Sequence, residues 1–346
     1  VSAPPRGAAG RETPIERATL LKIARDAAQQ RLTARPSLIS AYLIGSVAAN
    51  EPLLGDATDI DLVLIDNAVP AVTREVVRLT DQVALDIQYR HRDEYTNPKL
   101  LRVHPWRGPE MAEPLFLLDP THFFELAQSS ARGQFHRPEY VATRARTFLA
   151  WARGELHIGL LPGAEPEATV SLANWCNALL YAANAAIVLT GFPGAGRRLV
   201  LKLEGAAGKL KRPDLHAEFL ALFGGDRLDR AAAEALLVDW LAAYRAGQSG
   251  SDEFIHPARR TLYERGFRAQ IQADRAAEAL WLLLATWNAV HLNAPNDAAR
   301  TVRWTAFLDQ LGLASLDGFD ARVQQAVDYV SAVDVLVEGW AEKNGA

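Results

Sequence analysis

Hydrophobic and polar positions follow two different rhythms along this chain, and the rhythm changes near Pro138. Before it, short apolar runs alternate with turn residues. Residues 37–44 (SLISAYLI) predict a strand that stops at Gly45. Residues 59–65 (DIDLVLI) set Asp59, Asp61, Val63 and Ile65 on one face and Ile60, Leu62 and Leu64 on the other, the two-residue period of a strand. Residues 74–80 and 83–90 flank Asp81-Gln82 and predict a β-hairpin. Upstream, Thr13-Pro14 with Glu16 forms a capping box with proline at the first helical position, and it opens a helix over 14–32. Residues 96–120, broken by Pro98, Pro105, Pro109, Pro114 and Pro120, predict a loop with a last strand over 114–118. Past Pro138 the period is helical, with helices expected at 138–155, 170–190, 197–211, 214–223, 229–247, 258–292, 297–311 and 317–342, that over 258–292 kinked or split. The expected fold class is α+β: a small mixed β-sheet unit with flanking helices over 14–137, preceded by a tail at 1–13 and followed by an all-α helical bundle over 138–346.

Composition supports two folded units. The chain has 346 residues, 49% hydrophobic and 23% charged, a mixture that builds its own core without staples. Lysine and arginine number 37 against 41 aspartate and glutamate, so the net charge of -4 argues against a polynucleotide partner, and nucleic acid is not expected. One cysteine, Cys176, excludes an intramolecular disulfide and a cysteine zinc cluster, and a cytoplasmic location is expected. Residues 1–14 lack an apolar core and predict a tail rather than a signal peptide. The apolar stretches 171–191 and 279–292 are interrupted by Asn174, Asn177 and Asn184, and by Asn288 and His291. Neither supplies the ~20 apolar residues of a membrane span, so both are expected as buried helices. Trp175, Trp240, Trp281 and Trp287 fall on helical stripes and predict core, while Trp106 either stacks on a base or plugs a domain interface.

Three pieces of the first half carry candidate chemistry. Gly45-Ser46 follows a strand, where glycine lets the backbone turn tightly and its N–H groups approach a phosphate. Asp59-Ile60-Asp61 puts two carboxylates on one strand face, about 7 Å apart along the strand, suited to oxygen ligation of hard divalent cations. Asp86 interrupts the apolar run Val83-Ala84-Leu85-Asp86-Ile87, an expensive place for a charge unless it is paired or metal-bound. Each piece has an ordinary explanation: a strand-end glycine, a solvated Asp-x-Asp, a strand aspartate paired with Arg90 or Arg92. In this order, three carboxylates beside a phosphate-binding turn are what two-metal phosphoryl transfer requires.

The arrangement resembles the DNA polymerase β-like nucleotidyltransferase superfamily, whose signature is a strand, Gly-Ser, a loop, Asp-x-Asp on a strand and a third Asp on a neighbouring strand. Here it is carried by GSVAANEPLLGDATDIDLVLI (45–65) and ALDIQY (84–89), within a resemblance spanning about residues 14–120. Ala48-Ala49-Asn50 departs from the small-basic-glycine continuation of many relatives, and twelve residues (47–58) separate Ser46 from Asp59. The helical half looks like the substrate domain of stand-alone and small-molecule bacterial members. The resemblance implies that the catalytic residues Asp59, Asp61 and Asp86 hold two Mg²⁺, with Asp86 also orienting or deprotonating an acceptor hydroxyl. Gly45 and Ser46 would contact the phosphates of a nucleoside triphosphate. A basic residue of the helical domain often closes on the phosphates in such enzymes. Residues 197–212 supply candidates, Lys202 foremost with Arg198, against the plainer reading of a solvated basic face. Tyr181 and Asn184 either line the pocket or sit in the core. The implied activity is transfer of a nucleoside monophosphate to a hydroxyl of a small molecule or protein with release of pyrophosphate. A non-catalytic nucleotide sensor or toxin–antitoxin component, or transfer to RNA, are the alternatives. Acceptor, preferred nucleotide and oligomeric state are left open.

Overall fold

The computed structural model describes residues 15–157, 171–293 and 297–346. The tail over 1–13 and the capping box at Thr13-Pro14 lie outside the described residues. Helix α1 (Arg17–Ala34) starts after Glu16, whose side chain does not cap it. It buries Leu20, Ala24, Ala27 and Ala28 against one face of a five-stranded sheet.

The sheet consists of β1 (Leu38–Ile44), β2 (Thr58–Asp66), β3 (Arg74–Arg78), β4 (Val83–His91) and β5 (Leu115–Leu118), in the order β3-β4-β2-β1-β5. It is mixed: β2 and β4 run parallel, and every other neighbouring pair is antiparallel. Alternation along β2 decides which side each residue faces. Ile60, Leu62 and Leu64 meet α1, while Val63 and Ile65 join Tyr42, Tyr95, Met111 and Phe124 in a second core on the opposite face. The β3–β4 turn is longer than the two residues that Asp81-Gln82 suggested. The Thr80 hydroxyl accepts from the N–H groups of Gln82 and Val83 at 3.1 and 3.0 Å, so a side chain closes the turn.

The second core is covered by α3 (Pro98–Val103), α4 (Arg107–Ala112) and α5 (Phe123–Arg132). Prolines and glycines over 96–120 predicted a loop, yet two of these helices form there. Pro98 occupies the first turn of α3, where no N–H is needed, and the Asn97 side chain caps it by accepting from Leu100 N at 3.3 Å. Arg90 is the polar centre beneath these helices. Its guanidinium reaches the Tyr42 hydroxyl at 3.2 Å, Gln88 at 2.6 Å and the carboxylate of Glu110 on α4, and Tyr42 in turn bonds Tyr95 at 2.8 Å.

From Pro138 onward the regular structure among the described residues is helical: α6 (Pro138–Leu156), α7 (Leu172–Ile187), α8 (Leu199–Leu210), α9 (Asp214–Leu222), α10 (Arg230–Gly247), α11 (Arg260–Gln272), α12 (Ala276–Asn293), α13 (Ala298–Leu311) and α14 (Leu316–Asn344). The helix expected over 258–292 is split between α11 and α12, where Asp274 takes the left-handed conformation at φ 58°. Trp175, Trp240, Trp281 and Trp287 are all buried in one helical core. Trp106 packs edge-on against Phe148 of α6, with ring centroids 5.1 Å apart, and so plugs the seam between the sheet and the helices. Cys176 is buried, and burial pushes its thiol up to about 12. Among the described residues no helix is long and apolar enough to cross a membrane.

The buried Arg90–Glu110 pair generates a stability prediction. Glu110→Ala leaves the guanidinium without its carboxylate in a buried setting and is expected to cost about 3 kcal/mol, read from urea unfolding. A loss under about 0.5 kcal/mol would show that solvent or Gln88 substitutes for Glu110.

Candidate active site

Strand register alone gathers the three predicted aspartates. Asp61 sits opposite Asp86 on the parallel β2–β4 pair and opposite Ile44 on the antiparallel β1–β2 pair. The end of β1, Asp61 and Asp86 therefore form one row across the sheet, and Asp59 stands two residues from Asp61 on the same face. One oxygen from each of Asp59, Asp61 and Asp86 lies within 4.8 Å of the others. Gly45 bends away at the head of this row with φ +71°, and a Cβ on it would lie 2.1 Å from Asp61 Oδ2. Glycine here is thus required twice, by the left-handed backbone and by the carboxylate that fills the space a side chain would need. After Gly45 comes the short helix α2 (Gly45–Ala48), whose last carbonyls are held by Arg17 of α1 at 3.1 and 3.0 Å. The Ser46 hydroxyl lies 3.3 Å from Thr58 Oγ1 and fastens the turn to the start of β2.

Among the described residues, three arginines converge on these carboxylates. Arg74, two residues along β3 from the partner of Asp86, grips both oxygens of Asp86 at 2.9 and 2.8 Å. It also pairs with Glu253 from the loop after α10. Arg197 lies 3.3 Å from Asp59 Oδ1, and its other terminal nitrogen donates to the carbonyls of Leu54, Ala57 and Leu262 at 3.3, 3.3 and 3.4 Å. Arg259 bridges Asp59, at 3.4 Å, and Asp86. Asp61 has no hydrogen-bond or ion-pair partner among the described residues.

Arg197 is aimed by the core of the helical half. Asn184, fully buried on α7, donates to Gly194 O at 2.9 Å and accepts from Gly194 N at 2.7 Å, fixing the loop that enters the arginine pair. Asn184 is therefore a core strap, while Tyr181 packs among Phe148 and Trp151. Lys202 and Arg198 stand beside this site rather than on its carboxylates. Both reach Glu51 in the loop between α2 and β2, at 3.3 and 3.0 Å, and Arg198 also donates to Pro52 O at 2.5 Å. Arg90 and Arg92 do not serve Asp86: the first is committed to Glu110, and the second contacts Asn67 at 3.0 Å and the Phe123 ring. Arg74 and Arg259 were not singled out in the sequence. Arg74 had a signal in the hairpin register; Arg259 had none.

Charge explains the protonation pattern. Burial opposes ionisation of Asp59, but the Arg197 and Arg259 guanidiniums outweigh it and hold its carboxyl below the usual range. Asp61 is pushed well above that range by burial first, and then by the charges of Asp59 and Asp86. A half-buried carboxylate wedged between two others, with no side-chain partner among the described residues, favours a proton or a cation. The all-oxygen donor set and the spacing suit a hard divalent ion, and Gly45 leaves the space the Asp61 carboxylate needs.

No family model matches the chain, and no curated protein matches it. Among solved structures, a nucleotidyltransferase-like protein from Exiguobacterium sibiricum 255-15 is similar over 84% of this chain and 89% of its own, at 11% identity and a TM-score of 0.27.

The Asp61 shift fixes a pH dependence. Its folded pKa lies above its unfolded one, so the folded state holds the extra proton. Stability is then lost as pH rises past the ordinary aspartate value of about 3.9, until Asp61 ionises in the folded protein. In chelator-treated protein, Asp61→Asn is expected to raise Tm by an amount that grows as pH rises above the ordinary aspartate value. Asp59 has the opposite sign: its contribution is present above the ordinary carboxylate pKa and lost as pH falls, so Asp59→Asn lowers Tm at neutral pH. A Tm difference for Asp61→Asn that stays flat with pH would contradict the assignment.

Proposed function

We propose that this chain is a metal-dependent nucleotidyltransferase that moves a nucleoside monophosphate from a nucleoside triphosphate to a hydroxyl of a small molecule or protein, releasing pyrophosphate. The observation that carries the reading is the meeting of Asp59, Asp61 and Asp86 oxygens within 4.8 Å at the end of the strands, beside the turn at Gly45. Asp59 and Asp61 would hold both of two Mg²⁺ ions, and Asp86 would complete the second. When bound, such ions polarise the α-phosphate and make the attacking hydroxyl more acidic.

The chain's own groups supply position and charge. Asp86, which Arg74 holds at both oxygens, would orient or deprotonate the acceptor hydroxyl. Backbone N–H groups at Gly45 and Ser46 would face the phosphates, the turn being stiffened by the Ser46–Thr58 contact. Arg197 comes from the helical half and reaches Asp59, so the acceptor is expected at the seam between the catalytic unit, residues 14–137, and the helical unit, residues 138–346. Arg198 and Lys202 would turn from Glu51 to the triphosphate tail. The net charge of -4 disfavours a long polynucleotide as acceptor.

One observation favours a second reading. Asp59 and Asp86 are both engaged by arginines, an arrangement that would also suit a nucleotide-sensing or toxin–antitoxin component that does not turn over.

Incubation with each α-labelled nucleoside triphosphate, Mg²⁺ and a cell extract separates the two. Label entering a small molecule or protein, with pyrophosphate released, is the expected result. Asp59→Asn and Asp61→Asn are each expected to bring transfer to background with unchanged circular dichroism. Transfer that persists in either variant would refute the metal assignment. Metal-dependent nucleotide binding without pyrophosphate release over hours would favour the sensor.

A further inference from the structure

Among the described residues, three arginines lie on the carboxylates, and the anchor of Arg259 outside them is a neutral hydroxyl, that of Tyr263. Arg197 is fixed by three backbone carbonyls and Arg74 by Glu253. The Arg259 guanidinium has Asp59, Asp86 and the Tyr263 hydroxyl as its partners among the described residues, and its Nε is buried with none. Its main chain is nevertheless well fixed. Tyr244 donates to the carbonyls of Phe254 and His256 at 3.2 and 2.9 Å, and His256 Nδ1 accepts from Ala258 N at 3.2 Å. The backbone is held while the side chain's tip is tied chiefly by the groups a divalent cation would claim.

We propose that Arg259 is an exchangeable internal cation: its guanidinium stands in for metal between Asp59 and Asp86, is displaced when metal enters, and then takes a phosphate oxygen of the triphosphate. The inference rests on the metal reading of the site. Charge supports the exchange. Asp59, Asp61 and Asp86 balance Arg74, Arg197 and Arg259 at full ionisation, with Glu253 on the outer side of Arg74, so two divalent ions arriving with a tetra-anionic triphosphate leave the net charge of the site unchanged, provided the arginines stay and change partner. A guanidinium forms strong charge-assisted hydrogen bonds to either anion, carboxylate or phosphate. Metal and nucleotide would therefore bind cooperatively, since each removes the cost of the other's arrival.

The test measures binding, not turnover. Free Mn²⁺ is titrated by electron paramagnetic resonance into wild type, Arg259→Gln and Arg259→Lys without nucleotide. Removing the competing guanidinium is expected to tighten Mn²⁺ binding at least about tenfold in Arg259→Gln. A lysine ammonium spans both carboxylates poorly, so Arg259→Lys, which keeps the charge and guards against a folding failure, is expected to tighten it about threefold. At saturating Mn²⁺, a fluorescent ATP analogue is expected to bind Arg259→Gln about tenfold more weakly. Equal or weaker Mn²⁺ binding in both variants, with wild type still binding, overturns the exchange and leaves the metal reading standing. Unchanged analogue affinity overturns the transfer of Arg259 to phosphate. Absence of Mn²⁺ binding in all three proteins overturns the metal reading and this inference together.

Discussion

Parallel pairing of β2 with β4 puts Asp61 and Asp86 in the same row, and the strand period adds Asp59 to their face. Three like charges at one end of a sheet are the constraint to which the surroundings answer. Mutual repulsion in a partly desolvated place is costly, and the fold relieves it in two ways. Arg74, Arg197 and Arg259 neutralise the two outer carboxylates, and the central one retains its proton more readily. Gly45 contributes space, since any side chain there would evict Asp61.

Relief comes from both halves of the molecule. Arg74 belongs to the sheet, whereas Arg197 and Arg259 arrive from helical segments and meet Asp59 from 138 and 200 positions away. Arg197 also gathers the carbonyls of Leu54 and Ala57, from the loop before β2, and of Leu262, from α11. One guanidinium thereby locks the entry of the strand that carries Asp59 and Asp61 to the helical core. Loss of the arginines would unpair charges and loosen the seam at once.

The legible and illegible parts of the sequence divide along the range of the interactions. Alternation in Asp59–Ile65 reveals a strand and its two faces because a two-residue period is local. The aspartate spacing was equally local, and hairpin register implied that β4 lay within reach of β3. Hairpin register offered Arg74 to Asp86, but nothing local pointed to Arg259, and the arginines nearer in sequence misled: Arg90 is drawn to Glu110 and Arg92 to Asn67 and Phe123. Prolines in 96–120 signalled interruption, whereas Pro98 starts a helix because Asn97 precedes it as a cap. Lys202 and Arg198 were sensible choices by charge, yet Glu51, in the loop before β2, holds them both.

Asn184 lies wholly inside the helical core, and its amide closes on both the N–H and the carbonyl of Gly194. Its side chain is closed off from solvent. Yet the peptide it clasps leads into Arg197, so a change at 184 propagates through the main chain to the acidic row. Random mutagenesis scored only by lost turnover would flag position 184 beside the aspartates, and a residue of pure architecture would be mistaken for chemistry.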